Sequence, residues 1–471
     1  MDNKDKHGVD LTEGSIPRHL ITFSIPMLLG SSLQTFYSIV NALWVGRFLG
    51  AEAMATVTVG FPVLFVLMSV AIGLTMGASI LVSQHYGAKD FDGMRKVVQN
   101  GTILTTAASI ICLIIGLIFA NPLLRFMQTP SNIFEQSVYY FRLTLFTVPF
   151  MFGTFLLAST LRGVGDSKTP VYFQGAWLLV TAVLDPILMF GLLGFPKLGL
   201  NGTAWANIFS QICCLITLVY YLNKKKHIAN PDIHNLKFIK STSAMILKIG
   251  APSMLQQAMV ALGMSVLIGI VNQFGETSTA AAGVAFRIDQ IAFMPAMTLG
   301  MAVSTLAGQN IGAKKYDRVK QVFWWGLLVS CILTGIGTAL AVSFPNIMMS
   351  LFIKDPKVIE IGAGYFKICG WSYILFAIMF VSNGVINGSG HTLVTTLITL
   401  AALWGVRVPI AIYMSKTTGD IRWVWWAILI GVSVGTIISL SYFFSGKWKN
   451  PLRDPITIDL MPEELNPQQN D

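Results

Sequence analysis

Apolar residues dominate twelve stretches of about 20 or more positions, near 17–44, 54–84, 98–119, 136–160, 170–193, 200–222, 246–272, 279–308, 320–345, 361–385, 393–414 and 423–445. A helix needs roughly 20 predominantly apolar residues to cross a bilayer. Each stretch therefore predicts one membrane-spanning helix, and the chain reads as an all-α integral membrane protein. The longest polar interval runs from Asn223 to Ser243 and holds Lys224, Lys225, Lys226 and Pro231, with six stretches on either side of it. The expected division is an N-terminal segment over 1–16, a first lobe over 17–222 (spans 1–6), a linker over 223–245, a second lobe over 246–446 (spans 7–12) and a tail over 447–471. Six spans return the chain to its starting side, so the two lobes share one orientation. The tail from Lys447 is polar and Pro-containing and is expected to be poorly ordered.

The two halves also resemble one another. Gly87-Ala88-Lys89-Asp90-Phe91-Asp92 returns as Gly312-Ala313-Lys314-Lys315-Tyr316-Asp317, and the preceding Gln84 and Gln309 are 225 residues apart. Pro26 and Pro252 are 226 apart, Gly163-x-Gly165 matches Gly388-x-Gly390, and Asp185-Pro186 matches Val408-Pro409 with a slip of two residues. A membrane protein built of two repeats usually works at their interface and moves one against the other. Prolines stand within the expected spans at Pro26, Pro62, Pro149, Pro186, Pro252, Pro295 and Pro409. Each such Pro frees the carbonyl four residues earlier, so the set predicts helices that bend around a cavity.

Composition narrows the class. The chain of 471 residues is 54% hydrophobic and 11% charged, with mean hydropathy +0.65, against about 25% charged for a soluble protein. Of its 32 Lys and Arg, twenty-one lie in the segments on the N-terminal side of the membrane and seven on the other side. The remaining four, Arg142, Arg287, Lys367 and Arg407, fall within spans. That asymmetry places both termini in the cytoplasm of a multi-pass cell-membrane protein. It also accounts for the net charge of +10 as topology plus attraction to anionic lipid. A nucleic-acid partner is not expected, because it would need those charges on one folded surface. The first sixteen residues are polar, and no cleavable signal peptide is expected. The five cysteines all lie within spans and form no CxxC, so neither a disulfide scaffold nor a zinc site is indicated. There is no GxxxxGK[ST] sequence, and no cofactor is expected.

Ionisable groups at membrane depth need an explanation, since each costs at least ~2.5–3.5 kcal/mol on insertion scales. Asp185 lies well within the fifth span, beside Pro186. A carboxyl group there persists either protonated or holding a cation, which makes it a switch coupled to an ion. Gln34, Tyr37 and Asn41 follow an i, i+3, i+7 spacing and share one helix face. With Thr203 and Asn207 of the sixth span, Asn41, Thr181 and Asp185 form a candidate ion-coupling cluster; Gln34 and Tyr37 are candidates for substrate contact. The second half offers Gln256, Gln257, Arg287, Asp289 and Arg407 for substrate. Arg287 and Asp289 are two apart and do not stack along one face, so ion pairing and substrate contact both stay open. Arg142 and Lys367 are expected to snorkel toward an interface. The 21 Met and 30 Phe suit a cavity for differently shaped ligands, and lipid-facing positions equally.

These fragments, in this order, resemble the multidrug and toxic compound extrusion (MATE) transporters from about Gly14 to Tyr442. The carriers are Gly14-Ser15-Ile16-Pro17, Asn41-Ala-Leu-Trp-Val-Gly46, Gln84-x-x-Gly87-Ala88, Leu161-Arg162-Gly163-x-Gly165-Asp166, Leu184-Asp185-Pro186, Gly199-x-x-Gly202-Thr203 and Gly308-Gln309-x-x-Gly312-Ala313. Phe286-Arg287-Ile288-Asp289 is similar to the DinF-like branch. The resemblance implies a V-shaped pair of six-helix lobes and alternating access. It implies export of amphipathic, cationic drugs or toxic organic compounds in exchange for H⁺ or Na⁺. It also implies a first-lobe cation site built on an Asp in each of spans one and five. Here Asp185 matches the second of these and Asn41 occupies the first; Thr203 matches the family's span-six Thr, and Thr181 replaces a frequent Asn. Val260 stands where NorM-like members carry a Glu, which argues against their second-lobe sodium site. The chain is expected to act as a monomer among membrane lipid. A flippase for lipid-linked precursors is the nearest alternative, left open by Arg287 and Arg407. An intramembrane enzyme would need a catalytic pair, and His391 has no evident nucleophile beside it.

Overall fold

In the computed structural model, residues 8–232 and 236–450 are described, and they form helices joined by short turns. In chain order these are α1 (Ile16–Phe48), α2 (Gly50–Val59), α3 (Phe61–Gly87), α4 (Phe91–Phe126), α5 (Phe134–Leu145), α6 (Val148–Gly163), α7 (Lys168–Phe190) and α8 (Leu200–Lys224). The second half contains α9 (Lys240–Asn272), α10 (Glu276–Gly312), α11 (Tyr316–Ser343), α12 (Pro345–Ser350), α13 (Pro356–Cys369), α14 (Ser372–Gly388), α15 (Thr392–Leu400), α16 (Val408–Thr418) and α17 (Arg422–Phe444). A π-helical segment, Ala401–Arg407, joins α15 to α16.

Among the described residues, nine helices are long and apolar enough to cross a membrane, with α2 and α3 counted together. Two bent pairs, α5–α6 at 41° and α13–α14 at 46°, raise the number to eleven. α1, at 33 residues, stands where the first span was expected. Its apolarity is diluted by Ser31, Ser32, Gln34, Thr35, Ser38 and Asn41, the polar positions that single it out chemically.

The chain divides into two compact units. The described part of the first is 8–10, 25–232 and 236–254; that of the second is 11–24 and 255–450. The divisions fall inside α1 next to Pro26 and inside α9 just after Pro252. In the first unit, α3, α4 and α6 pack together and α7 lies along α8. One core joins Ala71 and Leu124 to Phe141, Leu145 and Phe152. In the second unit, α10 packs against α11 and α14, and α17 against α14 and α16; Leu267, Ile288, Phe366 and Trp425 are among its core residues. Many large apolar side chains stay exposed, among them Leu29, Phe36, Leu179 and Ile216. On a membrane protein such a surface meets lipid tails.

The repeat is visible as geometry. The Gly-Ala-Lys motif folds into the same turn twice, with Lys89 at φ 60° and Lys314 at φ 58°, each followed two residues later by a helix. Asp90 caps α4 by accepting from Gly93 N at 2.9 Å. Its counterpart Lys315 instead donates to Thr12 O at 3.1 Å. Close helix contacts recur as well. A Cβ on Gly163 would lie 3.0 Å from Ser79 O, and one on Gly388 would lie 2.5 Å from Ser304 O; the partners are again 225 apart. Small residues at such crossings allow the van der Waals approach that holds helices together in lipid. Gly388→Ala should therefore lower thermal stability measurably, by the ~1–3 kcal/mol typical of overpacking. Gly335→Ala, where a Cβ meets nothing within 4 Å, should leave the melting temperature of the purified protein unchanged.

Three details differ from the sequence expectations. Pro26, Pro186, Pro252 and Pro295 lie inside continuous helices, and Pro409 stands two residues after the π-helical segment within the helical span Thr392–Thr418. Pro62 and Pro149 occupy first turns, where the missing N–H has no helical partner to lose, the latter at the 41° bend between α5 and α6. The start of the tail is not loose: Lys447–Lys449 form a short 3₁₀ turn in which Trp448 is buried and donates to Phe443 O at 2.9 Å. The rest of the expected disordered tail, 451–471, lies outside the described residues. Finally, residues 11–14 are bound to the second unit. Leu11 N donates to Gln309 Oε1 at 2.9 Å, Asn310 Nδ2 to Leu11 O at 3.2 Å and Arg318 to Gly14 O at 3.1 Å. The backbone ahead of α1 is thus hydrogen-bonded by side chains from the end of α10 and the start of α11.

Candidate ion and substrate sites

In the first unit, Asp185 is fully buried on α7, one residue before Pro186. Its Oδ2 accepts from Tyr37 OH at 3.2 Å and from Asn41 Nδ2 at 3.1 Å. Tyr37 and Asn41 are one turn apart on α1, so the shared face read from their spacing does converge on one carboxylate. Oδ1 is buried and has no hydrogen-bond partner. Gly202 lets the start of α8 approach the backbone of α7, since a Cβ there would lie 2.8 Å from Leu188 O. The next residue, Thr203, lies 3.4 Å from Tyr140 OH and donates to Leu200 O. Tyr140 packs against Leu143, Ala204 and Ile208 and stands within electrostatic reach of Asp185.

The other candidates separate from this cluster. Thr181 is buried one turn before Asp185, but its hydroxyl donates to Trp177 O at 2.8 Å. Asn207 is half-buried one turn beyond Thr203 and takes no part in the hydrogen bonds to Asp185. Gln34 is exposed and accepts from Gln174 at 3.2 Å. Tyr37, expected to meet substrate, is engaged with the acid instead.

The second unit builds a different site. Asp289 is buried on α10 and accepts from two phenols, Tyr365 of α13 and Tyr373 of α14, the latter at 2.7 Å. Tyr365 is held edge-on by Phe286 and Trp425. Arg407, at the end of the π-helical segment, is within electrostatic reach of Asp289, yet no ion pair joins them among the described residues. Arg287 is exposed while Asp289 is buried, as their two-residue spacing implies, and the partners Asp289 does find are tyrosines. Gln256 donates to Thr399 at 2.6 Å, tying α9 to α15; Gln257 is half-buried beside it. Among the described residues no three of His, Cys, Asp and Glu come together.

The MatE family model matches this chain twice, over residues 26–187 and 252–413. The chain belongs to the MatE family. It is accordingly a multi-pass membrane transporter and not an enzyme. Its MatE relatives include the probable multidrug resistance protein YoeA of Bacillus subtilis (strain 168), 36% identical over 433 residues, which cover 91% of this chain and 94% of that protein. The multidrug export protein MepA of Staphylococcus aureus (strain NCTC 8325 / PS 47) is 23% identical over 97% of this chain and 98% of its own length. A solved MOP superfamily transporter from Pyrococcus furiosus has the same fold, with TM-score 0.86 at 23% identity over 93% of this chain and 97% of that one.

Sequence reasoning missed three of the residues at these two MatE sites: Tyr140, Tyr365 and Tyr373. One signal was available. The two family matches start at 26 and 252, an offset of 226, and Tyr140 and Tyr365 are 225 apart. Each half thus has a tyrosine at one repeat position near a buried aspartate, which lies on α7 in the first half and on α10 in the second.

Proposed function

We propose that this MatE transporter is a cation-coupled multidrug efflux antiporter of the DinF-like branch. It exports amphipathic, cationic organic compounds across the cell membrane by alternating access, as a monomer with both termini in the cytoplasm. Asp185 carries the coupling ion, and H⁺ is favoured over Na⁺. The observation that carries this reading is the unequal treatment of the two Asp185 oxygens. Oδ2 accepts from both Tyr37 and Asn41, while Oδ1 is buried and accepts from none. A proton needs only that one free oxygen, and it removes a charge that burial makes costly. Na⁺ is a hard cation that needs several oxygens. Asn41 turns its N–H₂, not its oxygen, toward the carboxylate. The Lys and Arg asymmetry supports the orientation, and the names of the relatives support the drug class.

The test is efflux of a cationic dye from proteoliposomes with proton and sodium gradients imposed separately. Efflux should follow the proton gradient. Efflux that follows Na⁺ and ignores a pH gradient of equal driving force would overturn the choice of ion, and none under either gradient would overturn the antiport itself.

A further inference from the structure

The second unit contains a basic group that the coupling reading leaves unused. We infer that Arg407 is a specificity-determining residue that binds the carboxylate of zwitterionic or anionic amphiphiles, so that the carried compounds extend beyond simple cations. The inference deepens the efflux reading above and rests on it.

Arg407 closes the π-helical segment Ala401–Arg407, just ahead of Pro409. Such π-helical turns are uncommon and occur frequently at functional sites. Its side chain lies over Gly431 of α17, where an added Cβ would come within 2.9 Å of Arg407 Cβ and 3.2 Å of its Nε. The absence of a side chain at 431 therefore makes the space that the guanidinium stem occupies. Nε itself is buried and has no hydrogen-bond partner. The residue as a whole is half-buried.

The obvious internal partner is already committed. Asp289 is within electrostatic reach of Arg407, but its two oxygens accept from Tyr365 and Tyr373. A guanidinium is a planar fork of five donors and cannot lose its proton. Held at membrane depth with its donors unspent, it is suited to a planar, bidentate acceptor, which is the shape of a carboxylate.

The test compares two dyes that share one xanthene cation and differ only at one group: rhodamine B, with a free carboxylate, and rhodamine 3B, its ethyl ester. Equilibrium binding of each to the purified full chain is measured by fluorescence polarisation. The ratio of the rhodamine B Kd to the rhodamine 3B Kd should rise at least ~10-fold in Arg407→Gln, the loss expected when a charge-assisted hydrogen-bonded pair is removed. Arg407→Lys should fall between, because an ammonium keeps the charge without the fork. Gly431→Ala, whose added Cβ would lie 2.9 Å from Ala402 O and Arg407 Cβ and 3.2 Å from Nε, should raise the ratio in the same direction, and Arg407→Lys serves if Arg407→Gln does not fold. An unchanged ratio in the folded variants, or wild-type protein that does not bind rhodamine B, overturns the assignment. Because the readout is binding, a failure of gradient-driven efflux would count against the antiport reading alone.

Discussion

Asp185→Asn should insert and fold at wild-type levels yet export dye no faster under an imposed proton gradient than without one. The amide is nearly isosteric and still presents an oxygen to Tyr37 and Asn41, whose donors now reach Oδ2 at 3.2 and 3.1 Å. What it cannot do is take up and release a proton at the buried position of Oδ1. Drug-independent stability is therefore preserved while the link between ion and drug is cut. Gradient-driven efflux at the wild-type rate, with equal protein in the membrane, would sink the assignment of Asp185. A companion variant, Asn41→Asp, places a second carboxylate one hydrogen bond from the first. Like charges that close cannot both ionise cheaply, so the pH profile of efflux should shift, or sodium should become able to drive it.

The largest effect on folding is expected from Asp289→Ala. Removing this carboxylate deprives two buried phenols of their acceptor and takes away an opposite charge within electrostatic reach of Arg407. Breaking one side of a buried charged arrangement typically costs about 3–5 kcal/mol, so the melting temperature of the detergent-purified protein should fall by several degrees or the yield should collapse. Asp289→Asn should be milder, since it keeps an oxygen for a tyrosine. In the double variant with Arg407→Gln, stability should partly recover, because the unbalanced guanidinium is gone. A double variant no more stable than Asp289→Asn alone would show that Arg407 does not depend on Asp289. If Asp289→Asn kept full efflux but lost its pH dependence, the coupling role would pass from Asp185 to Asp289.

Helix positions were largely legible from the sequence because long apolar stretches and their polar boundaries report them directly. The fifth expected span, 170–193, became Lys168–Phe190 and the last, 423–445, became Arg422–Phe444. Breaks were harder to see. Pro149 does stand at a bend, 41° between α5 and α6, but the π-helical segment just before Pro409 carries no mark in the sequence. In the first site, Asp185 and Asn41 could be found because one is an acid at membrane depth and the other shares a face with Tyr37. Tyr140 could not be found by such rules. Its hydroxyl works across helices that are distant in sequence, and a tyrosine in an aromatic-rich span carries no local mark. The same holds for Tyr373 with Asp289, 84 residues apart. Arg287 and Asp289 show the converse: proximity in sequence suggested a shared task, while helical geometry sends one to the surface and the other to the core.

The binding of residues 11–14 to the end of α10 has a consequence for how the protein is made. Leu11 is paired with Gln309, 298 residues later in the chain. At about 5–20 residues per second, the ribosome needs roughly 15–60 s to supply that partner. During this interval Leu11, Ile16 and Leu20, all buried in the finished protein, have none of these second-half contacts. The earliest part of the chain to emerge is thus among the last to settle, and its closure onto Gln309 and Asn310 reports that the second half has been synthesised and inserted. A nascent chain truncated before α10 would leave this segment exposed, giving cellular proteases a way to tell an incomplete transporter from a finished one.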